Sequence, residues 1–384
     1  MTGHEPRQGI GPRVLHVAHH ALPHIGGLEA VVEAETTGLA GRGWRVALLS
    51  SATGAVPGEH ERQSVRGVRI RAWNGMESRF GVPFPVFSPL LVTALWREVR
   101  RAEVVHIHDP LYLSSWVAAF WCWVLRRPYV VHRHVGFVHH SSLVVRLVQA
   151  AVLATVARLV LERARVVLAI DEPIAQGLRE TVTSPAVRVL GNGVDTSRFR
   201  PPEPGERERL RRALGLPVEE RLVLFVGRFV PKKGFPLVAR AASDRYRIVF
   251  VGGERPPGLD DPRLVFLGAV PPDKMPEIYR CADVFVVASV GECPLTVLEA
   301  LSTGLPVVLN EDPALHSPWT SGPGVRFLEM APGALGEALA EQLDDPVALV
   351  AAGEAGREFV GARFSWETHI DELEQVYRQV LAPS

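Results

Sequence analysis

Short apolar runs, bounded by glycine, proline and polar residues, recur along this chain. Arg13-Val-Leu-His-Val-Ala18, Trp44-Arg-Val-Ala-Leu-Leu-Ser50, Val68-Arg-Ile-Arg-Ala72, Val104-Val-His-Ile-His108 and Tyr129-Val-Val-His-Arg-His-Val-Gly136 read as strands of the first half. Leu222-Val-Leu-Phe-Val226 and Val284-Phe-Val-Val-Ala288 read as strands of the second. Runs this continuously apolar suit strands covered on both faces. Residues 28–39, 206–213 and 366–381 between and after them read as helices. The last has Ile370, Leu373, Val376, Tyr377 and Val380 on one face. Strands alternating with helices predict an α/β protein with parallel sheets. A chain of 384 residues exceeds one ordinary core, so two domains are expected. They are placed at 1–190 and 191–365, followed by a helix over 366–384, with Pro201-Pro-Glu-Pro-Gly205 in the linker region.

Two readings fit residues 137–160, an apolar helix interrupted by Arg146, Gln149 and Arg158. Those polar breaks make it a poor membrane span. A buried core helix of the first domain is the favoured placement. The alternative is peripheral contact with anionic lipid, because Trp116, Phe120, Trp121, Trp123, Arg126 and Arg127 precede it.

Charge and cysteine change the picture little. The formal net charge is zero, residues 1–185 carrying +6 and the remainder −6. With no long basic run, nucleic acid is excluded as a partner. Cys122, Cys281 and Cys293 are odd in number and lack metal-site spacing, so free thiols in a reducing compartment are expected. The polar residues 1–12 hold no signal-peptide core, which predicts a cytoplasmic protein.

The candidate chemistry begins in Val226-Gly-Arg-Phe-Val-Pro-Lys-Lys-Gly234, where a strand ends and two cations, Arg228 and Lys233, follow. Only three of the 42 basic residues are lysines, and two of those lie here. The carboxyl end of a parallel strand borders the crevice where α/β sheets bind ligands. An Arg fork with a Lys point charge there suits a diphosphate. A second constellation follows in Pro294-Leu-Thr-Val-Leu-Glu-Ala300: a helix opening near Pro294, the N–H groups of Leu295 and Thr296 facing the sheet mouth, and Glu299 one turn in. Basic loop, helix start and a carboxylate for a sugar diol together describe a nucleotide diphosphate pocket.

These phrases, with Asn192-Gly-Val-Asp-Thr-Ser-Arg-Phe-Arg-Pro201, Val265-Phe-Leu-Gly268 and Pro23-His-Ile-Gly-Gly-Leu-Glu29, resemble the retaining glycosyltransferases of family 4 over residues 13–380. The resemblance implies the GT-B fold, two Rossmann-like parallel-sheet domains facing a cleft, with the last helix crossing back to the first domain. It implies an NDP-sugar donor such as a UDP-sugar, retention at the anomeric carbon, an acceptor that the sequence does not identify, and neither cofactor nor metal. It also implies donor contacts at Gly26, Gly27, Asn192, Leu267 and Gly268, and places His134 beside the anomeric centre. The chain departs from the family at one point. The first of two glutamates would fall at Gly291, and Glu292 is the neighbouring acid. A non-catalytic sugar-nucleotide-binding subunit therefore stands as the alternative to an enzyme. An epimerase on the same fold would need paired acids that are not found.

Most of the 14 histidines lie between His16 and His140. His106 and His108, and His132 and His134, alternate on single faces of strands. No acid or cysteine stands at a fixed offset from them, so no metal site is predicted.

Overall fold

The structure, a computed structural model, describes residues 11–382 apart from 25, 81–83, 135–142, 291–293 and 332. Residues through Asn192 join the C-terminal helix Trp366–Leu381 in one unit, and Gly193–Ser365 form the other.

The first unit is built on an eight-stranded sheet. Its spatial order is Ala186–Val189, Val166–Ala169, Tyr129–Arg133, Val104–His108, Arg13–Val17, Arg45–Ser51, Val65–Ile70, Gly58–Arg62. Every pairing is parallel except the last. Because side chains alternate along a strand, Val14, Val104, Val130 and Val166 fall on one face, and Leu15, Val105, Val131 and Val167 on the other. The first face is covered by Val32 and Leu39 of the helix Gly27–Gly41 and by Ile370, Leu373, Val376 and Tyr377 of the C-terminal helix. The second is covered by the helices Leu90–Arg101 and Leu113–Val124. Each large aliphatic side chain buried this way contributes about 1.5–3 kcal/mol. Arg42, paired with Asp371 and Glu374, fastens the C-terminal helix to the Gly27–Gly41 end.

The second unit holds six parallel strands in the order Leu264–Phe266, Arg247–Val251, Leu222–Val226, Val284–Val287, Val307–Asn310, Val325–Leu328. Leu222, Leu224, Val249 and Phe285 pack on one face, Val223, Phe225, Ile248 and Val284 on the other. Buried Asp283 accepts hydrogen bonds from Arg211 Nη2 and from the Leu222 amide, each at 2.8 Å. It ties the helix Glu206–Ala213 to the start of the central strand.

The favoured placement of residues 137–160 as a core helix is corrected. The described part runs as Leu143–Val152, a π-type stretch Leu153–Ala157, and Arg158–Glu162. Only Ala157, Val160 and Leu161 are buried, while Leu143, Leu147, Val148, Val156 and Leu159 are exposed. The sheet face is already filled by other helices, so only the C-terminal turns of this segment reach the core. Among the described residues, no helix is long and apolar enough to cross a membrane.

Candidate functional site

In the second unit the chain moves outward from Leu222–Val226 through two strands on one side, then returns to pair Val284–Val287 on the other. Strand order therefore reverses between Leu222–Val226 and Val284–Val287, and crevices open at the carboxyl ends of such reversals. The loop after the first strand is residues 227–234, and residues 288–295 follow the second. The two loops touch: the Val290 amide donates to the Lys232 carbonyl at 3.1 Å.

Local geometry explains the glycines. Gly234 has φ +74°, and a Cβ there would lie 2.3 Å from both the Cβ and the carbonyl oxygen of Ala288. No other residue fits that close approach without movement. Pro231–Lys233 forms a single 3-10 turn just before it. The Lys233 stem passes back over Gly227, its Cγ 3.9 Å from where a Cβ would stand, while Arg228 is exposed. Both cations thus belong to one loop at the strand-order reversal. Gly252 donates to the Gly268 carbonyl at 2.9 Å and Leu267 to that of Phe250 at 3.0 Å, which brings Leu267 and Gly268 to the same strand ends.

The helix expected near Pro294 spans Thr296–Ser302, with Leu295 as its leading residue. Thr296 therefore opens the helix and Leu295 precedes it. Glu299 is half-buried, and Tyr279 donates its hydroxyl hydrogen to Oε2 at 2.7 Å. Burial raises the Glu299 pKa, while the Tyr279 bond and the charge of Arg198 oppose that rise. Sequence reasoning missed Tyr279. Glu292 and Gly291 lie outside the described residues.

The first unit has a comparable reversal between Arg13–Val17 and Val104–His108. Beyond these strand ends lie His19, His20 and Asp109, with His134 just past Tyr129–Arg133. His134 is buried. Its Nε2 is 3.1 Å from His108 Nδ1, and its amide donates to Asp109 Oδ2 at 3.3 Å. Asp109 carries φ +65°, and burial raises its pKa to about 6. A non-glycine residue in that backbone region points to a constrained site. His19 stacks on Tyr112 with ring centroids 3.7 Å apart.

Gly26 precedes the helix Gly27–Gly41 in an extended conformation, and a Cβ there would meet Glu29 Oε2 at 2.3 Å. The glycine lets the buried Glu29 carboxylate fold back over the helix start, where the dipole favours it. His24 Nδ1 lies 2.8 Å from Glu29 Oε1. Asn192, where the chain first leaves this unit, has a buried side chain whose Oδ1 lacks a hydrogen-bond partner among the described residues.

The histidines depart from the sequence reading. Parallel register sets His16 beside His106 and His108 beside His132, all on the face covered by Gly27–Gly41. That helix delivers Glu35 into their midst, with Oε1 at 3.0 Å from His369 Nε2 and 3.4 Å from His132 Nδ1. The acid that no fixed offset revealed is therefore present in space. The prior signal was slight: Glu35 occupies a position that the helix period assigns to the buried stripe.

Residues 25–198 match the family model described as Glycosyltransferase Family 4, and residues 220–358 the one described as Glycosyl transferases group 1. The D-inositol 3-phosphate glycosyltransferase of Acidothermus cellulolyticus is 32% identical over 221 residues, 51% of this chain and 48% of that protein. Its namesake in Corynebacterium urealyticum is 30% identical over 218 residues, 50% of this chain and 51% of the relative. The match thus spans about half the length of these two relatives. The protein of that name in Mycobacterium tuberculosis is 28% identical, over 98% of this chain and 84% of its own. Among solved structures, sucrose-phosphate synthase from Thermosynechococcus elongatus has a TM-score of 0.74 at 23% identity, covering 97% of this chain and 100% of that one. Anabaena HepE in complex with UDP has a TM-score of 0.73 at 16% identity, covering 96% and 100%. The two-unit α/β architecture is the GT-B fold of these neighbours.

Proposed function

We propose that this chain is a glycosyltransferase of the family 4 type, which transfers a sugar from a nucleotide-sugar donor, a UDP-sugar first, with retention at the anomeric carbon. The observation that carries this reading is the loop 227–234 at the strand-order reversal of the second unit. That loop carries Arg228 and Lys233, and its Lys232 carbonyl accepts from the amide of Val290, in the segment that leads towards Glu299. In this reading the two cations stabilise charge developing on the leaving diphosphate, a preorganised electrostatic contribution that costs no reorganisation during reaction. Glu299, its Oε2 held by Tyr279, orients the ribose. Leu295 and Thr296 offer amides to phosphate, and Leu267, Gly268 and Asn192 complete the donor contacts. His134, with the Gly26-Gly27 loop, serves the sugar. A neutral imidazole suits a hydroxyl partner there, and burial pushes the His134 pKa down. No metal is assigned to the transfer step.

D-inositol 3-phosphate, which appears in the names of three relatives, is the acceptor to assay first. Calorimetry with UDP tests the donor site. Charge-assisted bonds contribute about 1.5–3 kcal/mol each, so Arg228→Ala should weaken binding roughly tenfold to a hundredfold. Equal affinities would remove the assignment. Proton NMR of the product of UDP-glucose and the acceptor reports the anomeric configuration. Absence of both transfer and donor hydrolysis would favour a binding subunit.

A peripheral membrane contact is favoured by a specific feature of the first unit. Phe120, Trp123, Leu143, Leu147, Val148 and Leu159 are exposed, and Arg163 lies over the Trp123 ring at 5.3 Å. Apolar side chains edged by arginine suit an anionic lipid surface. Co-sedimentation with phosphatidylglycerol vesicles, reduced in Leu147→Glu, is the expected result. No sedimentation would remove this reading and leave the donor assignment standing.

A further inference from the structure

The histidine cluster beneath the first unit's strand ends has a composition that donor binding does not explain. His16, Glu35, His106 and His108 are all fully buried. Glu35 Oε2 lies 3.7 Å from His16 Nδ1, 3.8 Å from His106 Nδ1 and 3.8 Å from His108 Nε2. His16 Nδ1 and His108 Nε2 are 3.0 Å apart, and all four donor atoms lie within 4.8 Å of one another. Around a tetrahedral ion with bonds near 2.0–2.1 Å, neighbouring donor atoms sit about 3.4 Å apart. The recorded separations bracket that spacing.

Glu35 Oε2 accepts no hydrogen bond from the described residues although it is buried. An unpartnered buried carboxylate oxygen is costly, and this one points at three imidazole nitrogens too distant to bond it. We propose that Glu35, His16, His106 and His108 form a structural site for one divalent first-row transition ion of the zinc class. Imidazole and carboxylate suit such an ion, and four protein ligands leave no open coordination position, the mark of a structural rather than catalytic site.

The groups around His16, His108 and Glu35 match what ligands of such an ion require. His16 Nε2 faces the Tyr377 hydroxyl at 3.3 Å, and His108 Nδ1 faces His134 Nε2 at 3.1 Å. Glu35 Oε1 is held by His369 Nε2 at 3.0 Å. His106 Nδ1 lies 2.5 Å from the Tyr377 hydroxyl. Ligation through His106 Nδ1 replaces that hydrogen bond and moves the hydroxyl away towards His16 Nε2, and His106 Nε2 has no hydrogen-bond partner among the described residues. The ligands come from the strands Arg13–Val17 and Val104–His108 and the helix Gly27–Gly41. The ion ties that helix to the sheet. With Nε2 of His108 on the ion, its Nδ1–H must donate to His134, which fixes the His134 tautomer. The site is independent of the donor assignment.

The full chain, produced in zinc-supplemented medium and passed over chelating resin, is unfolded in acid and its metal content measured by plasma mass spectrometry. One zinc per chain is expected. Glu35→Gln and His108→Asn should lose it, while His20→Asn, in a separate grouping with His24 and Glu77, should keep it. Substoichiometric zinc in the wild type, or zinc retained by Glu35→Gln and His108→Asn, would overturn the proposal. Loss in His20→Asn alone would do so too, by placing the ion in the other grouping. Should either ligand variant fail to fold, the wild type refolded with cobalt decides. Intense visible bands of tetrahedral cobalt support the site, and the faint bands of octahedral cobalt refute it.

Discussion

Replacing Gly234 by alanine tests whether the basic loop is held where the donor site needs it. Two costs are expected. An L-residue at φ +74° pays roughly 1–2 kcal/mol for the left-handed conformation. The added Cβ would also stand 2.3 Å from Ala288 Cβ and its carbonyl oxygen, about 1 Å inside ordinary contact, and overpacking of that kind costs about 1–3 kcal/mol. Gly258 separates the two. Its φ is +79°, and nothing lies within 4 Å of its would-be Cβ, so Gly258→Ala carries the conformational cost alone. For a unit of this size each kcal/mol lowers Tm by about 2–4 °C. Gly234→Ala should then lower it by about 4–20 °C and Gly258→Ala by about 2–8 °C, read by scanning calorimetry. The functional consequence differs more sharply. Pushing the loop from Ala288 displaces Lys233, the adjoining residue, and loss of one charge-assisted phosphate bond weakens UDP binding roughly tenfold or more. Gly258→Ala should bind UDP as the wild type does. Wild-type UDP affinity in Gly234→Ala, or equal melting shifts in the two variants, would refute the reasoning.

Glu299→Gln keeps shape but not charge, so it should weaken UDP binding while the melting temperature holds; unchanged UDP affinity would remove Glu299 from the site. His134→Ala should lower turnover while nucleotide affinity stays within about threefold, roughly 0.7 kcal/mol, the pattern of an interaction used in the transition state. Abolished UDP binding in that variant would contradict the assignment of nucleotide binding to the second unit. In chelator-treated protein the first unit should loosen as acidity rises. His16, lowered from 6.5 to about 4, stays neutral in the fold where the unfolded chain is already protonated. Its contribution, about 3 kcal/mol, is full above pH 6.5 and is lost as pH falls towards 4. Asp109, raised to about 6, acts with opposite sign over the same range. It is outnumbered by His16, His19, His20, His106, His108 and His134, all lowered chiefly by burial. Hydrogen exchange across pH 4–7 reads this, and flat protection in the first unit would refute it.

The sequence by itself determined features set by neighbours along the chain. Apolar runs such as Leu222-Val-Leu-Phe-Val226 could satisfy their side chains only as strands covered on both faces. The glycine and cations that follow marked a ligand loop, because βα loops sit at strand ends whatever the rest of the fold does. The apolar face of the last helix was equally legible from its period; its partner on the first sheet, clasped by Arg42, was implied only by the family resemblance. The helix start drifted from Pro294 to Thr296, since proline favours a first turn without fixing which residue begins it. Tertiary structure alone decided what depends on register and coverage. Whether 143–162 lay in the core turned on the sheet face being already filled, a matter of volume that hydropathy does not record. Nothing in the spacing of His16, His106 and His108 announced Glu35. Parallel pairing aligns histidines that lie far apart in the chain, and the helix that follows the first of those strands then lowers a carboxylate into their centre. Such convergence is set by three-dimensional packing, which one-dimensional periodicity does not encode.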